Sequence, residues 1–279
     1  MQGEDEVRAL VRERYGAIAR EAGGCCAPSC CTPEMAPDGL NVIRDAYDGV
    51  AGRLAEADLN LGCGVPTQHA ALKRGETVLD LGSGAGNDVF IARHEVGAEG
   101  HVIGVDMTPD MITRARANAR KLGFDNVEFR LGEIEHLPVE SGSIDVIISN
   151  CVLNLLPDKG PAFVEMFRVL RPGGRFFVSD IVTTGRLPEG LREAAELYIG
   201  CVAGALTETE YLALIEAAGF EAARNAKVQP IRLPDEILSQ HFSAEEIAAF
   251  RASGVELKSV TVLATKPTMT KPTMAHERQ

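Results

Sequence analysis

The sequence predicts an α/β protein: a doubly wound, mostly parallel sheet with helices on both faces, followed by a smaller C-terminal α+β annex. Two observations carry that prediction. Between Thr77 and Val182 five short β-rich runs (TVLDLGS, HVIGVDM, VEFRLG, IDVIISN and RFFVSDIV) alternate with helical patterns such as PDMITRARANARKL. The first run ends in a glycine-rich phrase, as a strand does when it turns into a helix around a ligand. A chain of 279 residues, 45% hydrophobic, has the length and apolar content for one such domain plus an annex.

Taken in order, residues 4–20 place Val7, Leu10, Val11, Tyr15 and Ile18 on one helical stripe. Gly23-Gly24 ends that helix and opens into GGCCAPSCC, which holds Cys25, Cys26, Cys30 and Cys31. A second helix is expected over about 41–56. The alternating core occupies 71–183. Beyond it, helices are expected near 188–200 and 207–218, and strands at 221–229 and 256–265 bracket the insert DEILSQHFSAEEIAAFRASG. TKPTM occurs twice, at 265 and 270, so the polar, proline-bearing tail reads as disordered. The expected division is thus 1–70 for the N-terminal helices and cysteine loop, 71–183 for the ligand-binding domain, 184–266 for the covering annex and 267–279 for the tail.

A net charge of −12 argues against nucleic acid or an anionic membrane surface as partner. The acidic start MQGEDEV has no apolar segment after it, and no run is long enough to cross a bilayer. The expectation is a cytoplasmic protein, in which thiols stay reduced. Seven cysteines there point to metal, metalloid or redox chemistry, with buried inert thiols as the plain alternative.

VLDLGSGAG sets Asp80, Gly82, Ser83 and Gly84 at the end of the first strand. The spacing is GxGxG rather than the dinucleotide GxGxxG. Asp106, closing the second strand, can accept both hydroxyls of a ribose, and Met107 can lie along a purine face. In GEIEHLP the Glu133 carboxylate suits an exocyclic amine and the Ile134 amide a ring nitrogen. Asn150 ends the fourth strand at the carboxyl edge, where such sheets bind ligands. Together with VLRPGGRFFVSD, these residues resemble the class I S-adenosylmethionine methyltransferases over about 70–183. That implies a Rossmann-like fold and S-adenosylmethionine as methyl donor. A Rossmann-like fold binding NAD is the competing reading.

An oxygen or nitrogen acceptor calls for a general base, yet no histidine lies between His136 and His241. Sulfur is what this edge offers: Cys151 in SNCVLNL, Cys63 in NLGCGVP and Cys201 in ELYIGCVAGAL. Three dispersed thiols near a methyl donor suit a soft, thiophilic acceptor. NLGCGVP, DLGSGAGND, GVDMTPDM, SNCVLNL and YIGCVAGAL, in this order, resemble the arsenite methyltransferases over nearly the whole chain. The resemblance implies that Cys63, Cys151 and Cys201 hold arsenite, then methylarsenite, as thiolates, with no metal required. It implies that the arsenic lone pair takes the methyl group in line, and that protein cysteines return electrons by closing a disulfide. Thioredoxin or glutathione would reopen it. Leu61 stands where some relatives carry tyrosine. Two other readings stay open: a methyltransferase of a quinone or lipid whose cysteines merely pack, and a non-catalytic metalloid-binding protein.

For GGCCAPSCC three readings stand: a zinc site using the Cys26–Cys30 spacing, inert surface thiols, or a thiol store that captures arsenic and exchanges disulfides with the core trio. The third is favoured, with Cys31, nearest in sequence to Cys63, as the exchanging sulfur and Cys63 as its disulfide partner.

Overall fold

The computed structural model describes residues 4–21, 47–187 except 48 and 60, and 204–268 except 234, 240 and 241. One seven-stranded sheet runs through it in the order β3-β2-β1-β4-β5-β7-β6. The first five strands are β1 (Thr77–Leu81), β2 (His101–Asp106), β3 (Val127–Leu131), β4 (Ile144–Asn150) and β5 (Leu170–Thr183). They pair in parallel, with Asp80 opposite Gly104 and Ile148. β7 (Leu257–Thr265) runs antiparallel to both β5 and β6 (Glu221–Ile231). The two late strands, grouped with the annex by sequence pattern, therefore complete this same sheet.

Helices cover both faces because β1, β2 and β4 are apolar on both sides, as strands between two helical layers must be. Preceding the sheet are α1 (Glu4–Glu21) and the short α2 (Pro66–His69). Between its strands lie α3 (Asn87–Val96), α4 (Pro109–Leu122) and α5 (Gly160–Val169). One core packs Leu79, Ile147, Phe163, Phe176 and Tyr211; the other packs Val78, Phe90, Ala115, Phe129 and Ile148. The C-terminal helices are α6 (Glu208–Ala217), α7 (Asp235–Leu238) and α8 (Ala244–Ala252). α6 and α8 begin with reciprocal caps, Thr207 with Glu210 and Ser243 with Glu246, each satisfying backbone N–H groups at its helix start.

The helix expected over 41–56 is not found where that stretch is described. Residues 49–56 form successive turns, because Gly49 and Gly52 both take positive φ, 77° and 84°, which ends helical continuity. Residues 41–46, the helix expected at 188–200, the GGCCAPSCC loop and most of the tail lie outside the described residues.

Candidate active site

A pocket opens at the carboxyl edge of β1, β2 and β4. Asp80, Gly82, Ser83, Gly84, Asp106, Met107, Glu133, Ile134, Asn150 and Cys151 all line it. The glycine loop is hung from β2: Gly82 and Ser83 donate their N–H groups to the Val105 carbonyl at 2.8 and 3.0 Å. Gly84 holds φ at +51° with nothing within 4 Å of where a Cβ would stand, so the loop presents bare backbone to the pocket. Its N–H donates to Asp106 Oδ2 at 2.9 Å, while Thr108 N–H donates to Oδ1 at 2.8 Å. The Thr108 hydroxyl adds a third hydrogen bond to this carboxylate, which keeps its remaining acceptor capacity for a ligand.

Asp80 and Asp88 are buried beside it, Asp88 in the first turn of α3. Burial, with repulsion from Asp88 and Asp106, pushes the Asp80 carboxyl well above its usual range. Burial raises Asp88 to about 6 despite the hydrogen bond from Tyr47, and it raises Asp106 as well. None of these three carboxylates makes an ion pair among the described residues. Arg8 is the one cationic side chain among the described lining residues, and it is bound to Glu135 at 2.9 Å. A site so rich in unneutralised acid fits a cationic ligand. Three residues that line it, Ser83, Asn87 and Asp88, each also carry a buried side-chain oxygen without a hydrogen-bond partner among the described residues. S-adenosylmethionine, carrying an ammonium, a sulfonium and a ribose, meets those requirements.

The front wall is α1. Val11 and Tyr15 line the pocket, and Arg12 reaches Glu133 at 3.3 Å. Arg20 pairs with Asp110 at the start of α4. Tyr47 closes the base: its hydroxyl donates to Asp88 Oδ2 at 2.6 Å. Sequence reasoning missed Tyr47, Asp88 and Arg8. Asp88 had a signal, the acid that follows the glycine loop in GND; Tyr47 and Arg8 had none.

At the rim Cys63 and Cys151 are joined by a disulfide, their Cα atoms 5.7 Å apart across 88 residues of sequence. The structure thereby pairs Cys63 with Cys151, where the N-terminal loop had been expected as its partner. Leu61 borders the same pocket, partly exposed. Cys201, Cys25, Cys26, Cys30 and Cys31 lie outside the described residues.

The family profile of the methyltransferase domain matches residues 72–219. An arsenite methyltransferase of Halobacterium salinarum is 46% identical over 94% of this chain and 67% of its own length. Another, from Aquipseudomonas alcaligenes, is 36% identical over 88% of this chain and 72% of its own. The chain belongs to the arsenite methyltransferases. Among solved structures, an arsenic(III) S-adenosylmethionine methyltransferase from Chlamydomonas reinhardtii superposes with a TM-score of 0.64 at 34% identity. That match covers 83% of this chain and 75% of that one. As an arsenite methyltransferase with the seven-stranded sheet of the class I enzymes, the chain has this pocket where the sheet's strand order reverses, between β1 and β4, the place at which such sheets take ligands.

Proposed function

We propose that this chain moves the methyl group of S-adenosylmethionine to trivalent arsenic, first arsenite and then methylarsenite, held by the thiolates of Cys63, Cys151 and Cys201. The observation that supports this most is the bonding contact of Cys63 with Cys151 at the rim of a pocket that contains Cys151 itself. Thioredoxin or two glutathiones open that disulfide, giving its sulfurs two electrons and two protons. Three thiols then replace the three oxygens of arsenite, releasing water and leaving a lone pair on arsenic. The donor supplies an electrophilic methyl group on a sulfonium. As the arsenic–carbon bond forms and the carbon–sulfur bond breaks, arsenic is formally oxidised by two electrons. Two thiolates return those electrons by closing a disulfide. With no proton to remove from the acceptor, the protein's task is alignment and exclusion of water.

In this reading residues 71–183 bind the donor, residues 184–266 cover the acceptor, and the N-terminal cysteines deliver arsenic and exchange disulfides. The setting is cytoplasmic, without nucleic acid or membrane as partner; among the described residues no helix is long and apolar enough to cross a membrane. The test is to incubate the reduced full chain with arsenite, S-adenosylmethionine and excess glutathione or reduced thioredoxin, then separate methylated arsenic species by chromatography. Methylarsenic formation is expected. Arsenite binding without methylated product would mean a metalloid-binding protein, and transfer to a quinone or lipid instead would mean an organic acceptor.

A further inference from the structure

Asn150 ends β4, directly before Cys151, and lines the donor pocket. Its side chain nevertheless faces the Cys63 turn. Oδ1 accepts the N–H groups of both Cys63 and Gly64, each at 3.1 Å. Nδ2 donates to the Gly64 carbonyl and to the Tyr47 hydroxyl, each at 2.6 Å. A carboxamide offers two N–H donors and two acceptor lone pairs, and protein groups occupy all four. No hydrogen-bonding capacity remains for a methyl donor.

We propose that Asn150 is a positioning residue: its carboxamide fixes the turn that carries Cys63 at the distance from Cys151 at which both sulfurs reach one arsenic atom. This rests on the reading of Cys63 and Cys151 as arsenic ligands. Asn150 is thereby reassigned from the donor contact expected of it to the thiol pair.

The sequence around Cys63 is built for this contact. A Cβ on Gly62 would stand 2.4 Å from Asn150 Nδ2, and one on Gly64 would stand 2.6 Å from the Ser179 side chain. Glycine on both sides of the cysteine lets the turn lie against the end of β4 and against Ser179 of β5. Ser259 on β7 completes the grip by donating its hydroxyl to the Cys63 carbonyl at 2.8 Å. The other cysteine is held equally firmly. Cys151 has a φ of +59°, a conformation costly for a side-chain-bearing residue, and its N–H donates to the Ser179 carbonyl at 2.7 Å. Both cysteine backbones are therefore tied to Ser179 and its neighbours, and the Asn150 carboxamide bridges one to the other. Through Tyr47 and Asp88 the same carboxamide is linked to the helix that lines the donor pocket.

The experiment uses the full chain with Cys25, Cys26, Cys30, Cys31 and Cys201 replaced by serine, equilibrated in glutathione buffers without arsenic. Closing the Cys63–Cys151 disulfide passes two electrons and two protons to one glutathione disulfide, which leaves as two glutathiones. Alkylation and mass measurement of the two forms give the effective concentration of one thiol at the other. Asn150→Ala removes the clamp, and Gly62→Ala pushes the carboxamide off the turn. Each should lower the effective concentration tenfold or more, a loss of alignment rather than of reactivity. Their double variant should fall less than a further threefold, because the added methyl group then fills the space the carboxamide left. Affinity for S-adenosylhomocysteine should change less than threefold in every variant. A role in stability alone would lower the melting temperature and leave the effective concentration, measured well below it, unmoved. The proposal is overturned if effective concentration stays within twofold of the parent in either folded variant, or if Asn150→Ala instead weakens S-adenosylhomocysteine tenfold. Absence of arsenite methylation by the natural chain would overturn the functional reading and leave this measurement standing.

Discussion

Asp106→Ala tests the donor site at its most defined point. In the structure each oxygen of Asp106 already accepts one backbone N–H, from Gly84 at 2.9 Å and from Thr108 at 2.8 Å. The Thr108 hydroxyl makes a third hydrogen bond, and two ribose hydroxyls find acceptor sites on the carboxylate when that rotatable hydroxyl turns away. Hydrogen bonds to an ionised group contribute about 1.5–3 kcal/mol each, so the gross loss is about 3–6 kcal/mol. Part of that returns. Burial holds the carboxyl above its ordinary range, so its removal relieves a desolvation cost, and water can enter the space it vacates. A net loss of about 2–4 kcal/mol corresponds to a Kd raised about 30- to 1000-fold. Calorimetry with S-adenosylhomocysteine reads this directly, with a melting curve to show that the variant is folded. An analogue lacking the ribose 2′-hydroxyl supplies the cross-check: it should bind the natural chain more weakly than its parent compound, and the variant about equally well. Donor affinity within threefold of the natural chain in a folded Asp106→Ala variant would refute the ribose assignment.

The carboxyls of Asp80, Asp88 and Asp106 are raised by burial, Asp88 to about 6, and a cation entering the pocket favours their ionised forms. Donor binding near pH 6 should therefore release protons, and affinity should rise between pH 5 and pH 7; equal calorimetric heats in buffers of different ionisation enthalpy would contradict this. Asp180 is a second case: buried, and raised to about 7 by desolvation against the opposing pull of Lys159. Its folded value lies above the unfolded one, so its contribution to stability is present in acid and lost as pH rises through about 7. Asp180→Asn should make the slope of stability against pH between 5 and 7 less negative by up to about 1.4 kcal/mol per pH unit, read from denaturant melts; an unchanged slope would show that Asp180 does not titrate there. For the thiols, arsenite has three bonds to sulfur and methylarsenite two. Cys63→Ser should lose arsenite methylation while keeping appreciable activity on methylarsenite, and Cys151→Ser and Cys201→Ser should lose both; single-turnover assays with excess reductant decide it, and robust arsenite methylation by Cys63→Ser would mean the trio is misassigned.

The sheet was legible because its signals are local. Each buried strand is a short β-rich run, the glycine loop follows its strand at once, and Asp106 is the last residue of its own. The turns at Gly49 and Gly52 were misread as helix because the apolar spacing around them fits a helix, and only the backbone shows both glycines left-handed. Tyr47 and Arg8 left no trace, since each joins the pocket through a tertiary contact, 41 residues away at Asp88 and 127 at Glu135. Asn150 was placed correctly at the strand end, yet its task was hidden: sequence shows where a carboxamide sits and not which four partners surround it. For the same reason Cys63 and Cys151 were both singled out while their pairing was not.

The hydroxyl of Ser259 that grips the Cys63 carbonyl arrives 196 residues later in the chain. β7, which carries it, slots between β5 and β6 as the last strand to be synthesised, and contacts of such long sequence separation form late because the intervening chain must be closed first. During biosynthesis the glycine loop and the first five strands emerge well before the Cys63 turn has its final anchor. The spacing between Cys63 and Cys151 is therefore a property of the finished sheet and not of the segments that carry the two cysteines.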